Sequence, residues 1–278
     1  MPFVAASVVL LTHWWAVQVP SIAIWTVGLS LLLGVIALQT RSATPGAAAA
    51  GAGINACLMF STTMFPYQPW RTAVVPLAVV LVLTSLATRF GHKRKVGLGT
   101  AESRRGRSAS QVAANLGVAA IASNDLIQSW MINQRWLPVA RQSPAAFFTI
   151  ALAALAEAAA DTVSSELGQV LSTHPRMITT LRRAEPGTDG AISVGGTLAG
   201  AAAAAIVAAA GSLALHGGPS MMAVSWAGGV FGLFFDSLLG ATWEQRGFLN
   251  NDAVNFLSTA SAAAFALVLM AFLPNLRG

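Results

Sequence analysis

Residues 144–165 have the sequence PAAFFTIALAALAEAAADTVSS, an apolar run interrupted by two carboxylates, Glu157 and Asp161. A run of about 20 apolar residues is long enough to cross a lipid bilayer as a helix. A charged side chain in such a helix is costly and is rarely kept without a partner or a task. The run therefore predicts a transmembrane helix with a polar site near one of its ends.

Eight further apolar runs accompany this one. Only 9% of the 278 residues are charged and the mean hydropathy is +0.65, whereas soluble domains carry about 25% charged residues. We therefore predict an all-α, polytopic transmembrane helical bundle of about nine spans, within a range of seven to nine because the first is short and the fifth contains asparagine and aspartate. It forms a single integral membrane domain, 1–278, with an N-terminal hairpin, 1–40, and a core, 41–278. The predicted spans are 3–18, 21–40, 46–66, 72–89, 109–131, 144–165, 192–215, 220–242 and 252–273.

Basic residues predict how these spans are oriented, because cytoplasmic loops of membrane proteins carry an excess of Lys and Arg. With a cytoplasmic N-terminus, all but four of the 16 Lys and Arg residues fall on the cytoplasmic side. We therefore expect a protein of the cell inner membrane whose polar site faces the cytoplasm. Aromatic side chains are not interleaved with the bases as a nucleic-acid groove would require, so no nucleic-acid partner is expected.

Four polar segments fall on that predicted cytoplasmic side. They are 157–166, the loop 187–190, Asp236, and 251–255. In the first segment, Glu157, Asp161 and Ser165 are spaced by one helical turn and share one face. Two carboxylates with neighbouring hydroxyls suit Mg²⁺. An exposed acidic helix end is the alternative interpretation, above all for Glu166.

A basic loop, GHKRKVGLGTAESRRGRSASQ at 91–111, contains hydroxyl and guanidinium groups suited to phosphate oxygens. Its alternative role is to set the membrane orientation and attract anionic lipid. The candidate phosphate-binding residues of this loop are Thr100, Ser103, Arg104, Arg105 and Ser108.

A second loop, PRMITTLRRAEPGTDGAIS at 175–193, could clamp phosphates through Arg176 and Arg182. Its segment 186–190 predicts a tight turn with exposed backbone amides just before a helix N-terminus, which favours an anion. A plain connecting turn is the alternative. The candidate residues of the turn are Gly187, Thr188, Asp189 and Gly190.

Two further polar positions lie in apolar helices. Asp236, in AGGVFGLFFDSLLGATW, predicts a metal or proton-handling site, and a buried ion pair is the alternative. In GFLNNDAVNFLST at 247–259, an N-cap explains Asn250 or Asn251, and the helix dipole explains Asp252. Those explanations leave Asn255, one turn deeper, without a structural reason.

Six motifs are specific in combination. They are ATPGAAAAG (43–51), TRFGHKRKVGLGTAESRRGRSASQVAANLGVAA (88–120), ADTVSSELGQV (160–170), RMITTLRR (176–183), PGTDGAISVGGTLAG (186–200) and GFLNNDAVNFL (247–257). Together they resemble an integral membrane family that includes the plant phytyl-phosphate kinase, and the resemblance covers about residues 40–273.

The resemblance implies a Mg²⁺-dependent kinase that transfers a phosphoryl group from CTP or ATP to phytyl or another polyprenyl monophosphate. It implies catalytic roles for Asp161, Asp236 and Asp252, and metal ligation by Asp161, Ser165, Glu166 and Asp236. Asn115 joins the predicted nucleotide- and phosphate-binding residues named above, together with Asn251 and Asn255. Prenyl monophosphate, nucleoside triphosphate and membrane lipids are the expected partners, and a homodimer is compatible with the sequence.

Two other classes of function remain open at the level of sequence. A transporter or flippase of lipid phosphates or isoprenoids would use the intramembrane Asp236 as a coupling site. A CTP-dependent transferase acting on lipids would attach a nucleotidyl group instead of a phosphoryl group. The two transferases differ in the mass of their product, and the transporter differs from both in needing no nucleotide turnover.

Overall fold

A long helix, α8 (Pro144–Leu171), lies at the centre of a helical bundle and is buried along most of its length. The computed structural model of the protein describes residues 1–100, 106–133, 144–172 and 174–272. Every side chain from Ala146 to Ala160 is buried, including the carboxyl group of Glu157. The stretch that predicts the fold from the sequence is therefore the core of the folded protein.

Each predicted apolar run coincides with one helix or one pair of consecutive helices, and one further short helix, His92–Leu98, forms within the predicted basic loop. Their bounds are α1 (Pro2–Gln18), α2 (Pro20–Gln39), α3 (Pro45–Ser61), α4 (Val74–Arg89), α5 (His92–Leu98), α6 (Ala109–Ser123), α7 (Asp125–Asn133), α9 (Val194–Ala214), α10 (Gly218–Leu239) and α11 (Asn251–Phe272). A 3₁₀ turn (Pro69–Arg71) precedes α4, and a π-helical turn (Gly240–Glu244) continues α10. Strands β1 (Arg176–Met177) and β2 (Ala191–Ile192) pair antiparallel between α8 and α9. The fold is thus an all-α polytopic membrane bundle, as predicted.

The described helices differ in whether they are long enough to cross a bilayer alone. Five are long and apolar enough: α2, α8, α9, α11, and α10 together with its π-helical turn. A sixth arises if α4 and α5, which meet at an angle of 62°, count as one bent span. Helices α1, α3 and α6 are apolar but have only 15 to 17 residues. The predicted number of nine full spans is compatible with this arrangement and remains a prediction.

The fifth predicted span, 109–131, is two helices, α6 and α7, separated at Asn124. The Asn124 backbone is extended, and its side-chain oxygen accepts a hydrogen bond of 3.0 Å from the amide of Leu126. Its amide nitrogen donates to the hydroxyl of Ser7 at 3.2 Å in the bundle interior. Asn124 and Asp125, two of the polar residues inside the predicted span, therefore lie where α6 ends and α7 begins.

Small residues let the helices around α8 approach it closely, as is common between helices in lipid. On α9, a Cβ added at Gly200 would lie 2.7 Å from the carbonyl oxygen of Ala160, and one at Gly196 would lie 2.7 Å from that of Ser164. On α10, a Cβ at Gly229 would lie 2.9 Å from Ala156. The glycines of α9 and α10 thus bring both helices against the acid-bearing half of α8.

Candidate functional site

A polar cavity of about 360 Å³ opens at the end of the bundle where α8 and α10 end and where α6 and α11 begin. It brings together all four polar segments that the sequence singled out. The predicted site residues on its wall are Thr100, Asn115, Asp161, Ser165, Glu166, Gly187, Thr188, Asp189, Gly190, Asp236, Asn251 and Asn255. Residues that are far apart in the chain, from Thr100 to Asn255, therefore share the wall of one cavity.

Asp161 of α8 and Asp236 of α10 are neighbours on the wall of the cavity. Their carboxyl groups are close enough to interact with each other. Asp236 Oδ2 is buried and has no hydrogen-bond partner among the described residues. The two groups therefore repel each other when both are ionised, and a cation or a shared proton would relieve that repulsion.

Glu157 lies one turn of α8 deeper than Asp161, and its side chain is 1% exposed. The hydroxyl of Ser258 lies beside it but donates its hydrogen bond to the carbonyl oxygen of Asn255 at 3.0 Å. Both carboxyl oxygens of Glu157 are consequently without a donor within the described chain. The sequence grouped Glu157 with Asp161 as two carboxylates suited to Mg²⁺. In the structure Glu157 is not part of the cavity lining and lies beneath it, deeper in the bundle than Asp161.

Glu166 has a different environment, since it forms an ion pair with Lys95 of α5. The distance from Lys95 Nζ to Glu166 Oε2 is 2.5 Å, and the side chains are 1% and 13% exposed. The same ammonium donates to the carbonyl oxygens of Ala87 and Thr88 at 3.0 and 2.7 Å. These contacts of Lys95 hold α5 against the ends of α4 and α8. They also occupy one carboxylate oxygen of Glu166, which the sequence predicted to be a metal ligand.

The loop 186–190 is held between two other elements by close contacts at its glycines. Gly190 has φ +75°, and a Cβ there would lie 2.3 Å from the amide nitrogen of Ala241 in the π-helical turn. Gly187 has φ +88°, and a Cβ there would lie 2.5 Å from Thr100. The side-chain amide of Gln245 also donates to the carbonyl oxygen of Asp189 at 2.8 Å. The predicted turn is therefore a fixed wall of the cavity, beside a π-helical turn of a kind frequent at functional sites.

Amide and guanidinium groups line the wall opposite this loop. Asn115 donates to the carbonyl oxygen of Gln111 at 2.8 Å, and both side chains border the cavity with Arg107. Asn255 of α11 is buried and also faces the cavity. Sequence reasoning did not single out Arg107 or Gln111 as site residues. Their position at the end of the basic loop 91–111, where α6 begins, was the available signal.

The described wall of the cavity carries more acidic than basic groups. Its five carboxylates are Asp161, Glu166, Asp189, Asp236 and Glu244, and its basic residue is Arg107, which interacts electrostatically with Asp161. Arg104 and Arg105 lie outside the described residues. An anionic ligand would therefore meet a negative wall unless a cation accompanied it.

The described carboxylates of the cavity could bind Mg²⁺ as a pair, although they do not form a larger metal-binding group. No group of three or more His, Cys, Asp or Glu side chains in the described ranges forms a metal site. Mg²⁺, however, is usually bound by one or two carboxylates and completes its shell with phosphates and water. The neighbouring pair Asp161 and Asp236, with the unpartnered oxygen of Asp236, meets that requirement.

Several predicted site residues do not line the cavity. Ser108 caps α6 and accepts a hydrogen bond from the amide of Gln111 at 3.2 Å. Of the two N-cap candidates of α11, Asn250 caps the helix by accepting a hydrogen bond from the amide of Ala253 at 2.9 Å. Arg176 lies in β1 and donates to the carbonyl oxygen of Leu181 at 2.8 Å. Arg182 and Asp252 are also outside the wall. Ser103, like Arg104 and Arg105, falls outside the described residues.

The fold and the site define a class: integral membrane helical proteins with an acidic cavity at one end of the bundle. The chain belongs to the family of integral membrane proteins DUF92, whose sequence pattern matches residues 28–263. The family resemblance inferred from the sequence motifs is thereby confirmed.

Three curated relatives are similar to this chain. An uncharacterized membrane protein of Methanocaldococcus jannaschii is 44% identical over 39% of this chain and 45% of its own length. One of Synechocystis is 32% identical over 71% of this chain and 73% of its own. The chloroplastic protein VTE6 of Arabidopsis thaliana is 25% identical over 80% of this chain and 66% of its own. The chain thus spans less than half of the archaeal relative's length. No solved structure matches it.

Proposed function

We propose that the protein is a prenyl-phosphate kinase. It would transfer a phosphoryl group from a nucleoside triphosphate, CTP or ATP, to phytyl or another polyprenyl monophosphate and so form the diphosphate. The distant relationship to VTE6, in a family that includes the plant phytyl-phosphate kinase, supports this activity. Integral membrane character is established by the family and by the apolar helices. The substrate, the donor and the metal belong to the proposal.

One observation carries the proposal: two adjacent carboxylates, Asp161 and Asp236, in a polar cavity at the end of a membrane bundle. Two neighbouring carboxylates in a membrane-embedded bundle are expensive to ionise together, so their proximity calls for a cation that binds both. Kinases use Mg²⁺ to bind a nucleotide's phosphates. The negative wall of the cavity supports the same requirement, since phosphates would otherwise be repelled.

The reaction needs little covalent chemistry from the protein. An oxygen of the lipid monophosphate attacks the terminal phosphorus of the nucleotide, and the bond from that phosphorus to the bridging oxygen breaks, releasing the nucleoside diphosphate. Mg²⁺, when bound, would offset the charge on the phosphates. Asp161 and Asp236 would hold it. Arg107 and the amide groups of Asn115, Asn251 and Asn255 would orient the phosphate oxygens.

The cytoplasmic side is the proposed location of the cavity. The basic residues Arg41, Arg89, Lys93 and Arg246 flank the same end of the bundle as the cavity, in agreement with the positive-inside rule. A soluble nucleotide would reach the cavity from the cytoplasm, and the lipid substrate would reach it from the membrane. A homodimer remains compatible with the proposal.

The activity can be tested with purified protein in detergent. Labelled CTP or ATP and phytyl or geranylgeranyl monophosphate should yield the prenyl diphosphate with Mg²⁺ and none with EDTA. Mass spectrometry of the lipid distinguishes an added phosphoryl group from a nucleotidyl adduct, the product of a CTP-dependent lipid transferase. If no prenyl monophosphate is converted with any nucleoside triphosphate, the kinase proposal fails.

A transporter or flippase of lipid phosphates is the second candidate, favoured by the fully buried Glu157. A carboxyl group inside the membrane without a basic partner is common on ion and proton pathways. Reconstituted vesicles separate the two functions. Movement of a prenyl monophosphate across the membrane without nucleotide, together with absent turnover, would favour the transporter.

A further inference from the structure

A second cavity, which we call the apolar groove, lies between α2, α3, α4 and α6 and has a volume of about 520 Å³. We propose that the apolar groove binds the hydrocarbon chain of the lipid phosphate whose head group enters the polar cavity. This inference rests on the proposed function, because the chain and the phosphate belong to one substrate. Its apolar lining includes Leu33, Ala37, Ala48, Leu77, Val80 and Leu116.

Small side chains create the groove. Helices α2 and α3 pack closely, since a Cβ added at Gly34 would lie 3.3 Å from the carbonyl oxygen of Ala48. Helix α4 contacts both of them only sparsely. The lining that α3 contributes to the groove includes Ala48, Gly51 and Ala52, which are too small to fill the gap. The apolar surface left between the helices suits a flexible hydrocarbon chain.

The length of the groove can be estimated along α4. Its lining residues run from Leu77 to Arg89, which corresponds to a rise of about 18 Å in an α-helix. The hydrocarbon core of a bilayer is about 30 Å thick. A chain in the groove would therefore run from the cavity end of the bundle past the middle of the membrane.

Several hydroxyl groups inside the groove are hydrogen-bonded, the Thr88 hydroxyl has no partner among the described residues, and charged groups lie at the end of the groove. The hydroxyls of Ser42 and Ser85 are 3.0 Å apart, and that of Thr84 donates to the carbonyl oxygen of Leu81 at 3.4 Å. Arg41, Arg89 and His92 line the end nearest the loops. An apolar wall with a basic end matches an amphiphile that has one anionic head group.

The groove and the polar cavity meet at Arg107, Gln111 and Asn115, which line both. Backbone pairing fixes this junction: the Arg107 amide donates to Ser42 at 3.1 Å, and the Arg107 carbonyl accepts from Thr44 at 3.0 Å. Gly106 permits this contact, because a Cβ there would lie 2.7 Å from the amide nitrogen of Ala43. A lipid phosphate at the junction would lie between its chain in the groove and the carboxylates of the cavity.

A photoreactive analogue of geranylgeranyl monophosphate, with a diazirine at the far end of its chain, tests the assignment in purified protein. Peptide mapping should locate the label on α2, α3 and α4, and unlabelled geranylgeranyl monophosphate should displace it. Labelling on α9, α10 or α11, or no labelling, would overturn the proposal. Displacement by an equal concentration of phosphatidylglycerol would assign the groove to bulk anionic lipid and overturn it as well.

Two glycines of α3 provide a matched pair of variants. Gly51 lines the groove, and an added Cβ would be 3.8 Å from Val112, whereas an added Cβ at Gly53 meets nothing within 4 Å and Gly53 is not part of the lining. Gly51→Leu should reduce labelling, and should raise KM for geranylgeranyl monophosphate about tenfold by displacing about two methylene groups. Gly53→Leu should change neither. An equal effect of both variants would contradict the groove assignment.

The labelling also separates this inference from the kinase proposal. Label in the groove, lost in Gly51→Leu, without formation of any diphosphate would retain the groove and reject the kinase. Diphosphate formation with label on another face of the bundle would retain the kinase and reject the groove.

Discussion

Gly232 of α10 leaves the space that the side chain of Glu157 on α8 occupies. A Cβ at position 232 would lie 2.4 Å from Glu157 Cγ, 2.9 Å from Ala262 Cβ and 3.0 Å from the carbonyl oxygen of Ser258. Three helices, α8, α10 and α11, thus meet around one buried carboxyl group. The Glu157 side chain packs directly against the backbone of Gly232 beneath the polar cavity, and this packing requires glycine at position 232.

We expect Gly232→Ala to destabilise the protein by about 1–3 kcal/mol, because the added methyl group overpacks this contact. The apparent Tm in detergent should fall, and turnover should fall with it, since Glu157 and the neighbouring Asp161 are displaced. Gly53→Ala is the control, because its Cβ meets nothing within 4 Å and alanine favours the helix. Equal Tm values for wild type and Gly232→Ala would contradict the close contact.

The ion pair of Lys95 and Glu166 should contribute strongly to stability. Lys95→Met removes three hydrogen bonds and leaves Glu166, which is 13% exposed, without its cation. Breaking a buried pair from one side costs about 3–5 kcal/mol, and partial exposure here favours the lower end. Adding Glu166→Gln to Lys95→Met should restore part of the lost Tm. If the two substitutions are additive in Tm, the pair is not coupled.

The same pair bears on the predicted metal role of Glu166. Because Lys95 already binds one carboxylate oxygen at 2.5 Å, we expect Glu166→Gln to lower Tm but to leave the Mg²⁺ concentration for half-maximal turnover unchanged. Glu166→Asp, which keeps the charge but shortens the side chain, should also lower Tm. A Mg²⁺ requirement several times higher in Glu166→Gln would restore the residue to the metal site.

The helices and the position of the site follow directly from the sequence. Apolar runs define the helices because lipid imposes their length, and the break at Asn124 was visible as polar residues inside a run. Loop charge predicted that Asp161, Asp236 and the segments 187–190 and 251–255 would share one end, and all of them line one cavity.

The details that sequence reasoning missed depend on contacts between distant residues. No pattern in the chain connects Lys95 with Glu166, because the angle between α4 and α5 decides which base reaches the acid. Arg176 lies in β1 and forms an antiparallel bridge with Arg183, and the arginines of 176–183 lie outside the cavity wall, which their spacing alone did not reveal. The depth of Glu157 depends on Gly232, a residue of another helix.

The loop 186–190 can be tested through its glycines. Gly190→Ala introduces a Cβ 2.3 Å from the backbone of Ala241 and a side chain at φ +75°, so we expect the cavity wall to shift and turnover to fall at least tenfold. Gly247→Ala has the same φ of +75° but meets nothing within 4 Å, and it controls for backbone strain of about 1 kcal/mol. Equal turnover of the two variants would show that the contact with Ala241 is unimportant for the site.

The neighbouring carboxylates provide the most direct test of the proposed chemistry. Asp161→Asn and Asp236→Asn keep the shape of each side chain but remove its charge, so each should lower prenyl diphosphate formation about 100-fold or more while Tm is kept or raised. Relief of repulsion between the two groups is the reason for the higher Tm.

Asp252→Asn is the comparison: Asp252 lies in the first turn of α11 outside the cavity wall. Its loss should cost about 0.3–1 kcal/mol of helix stability and little turnover. A fully active Asp161→Asn variant would remove that residue from the metal role. An inactive but folded Asp252→Asn variant would restore the catalytic role that the sequence predicted for it.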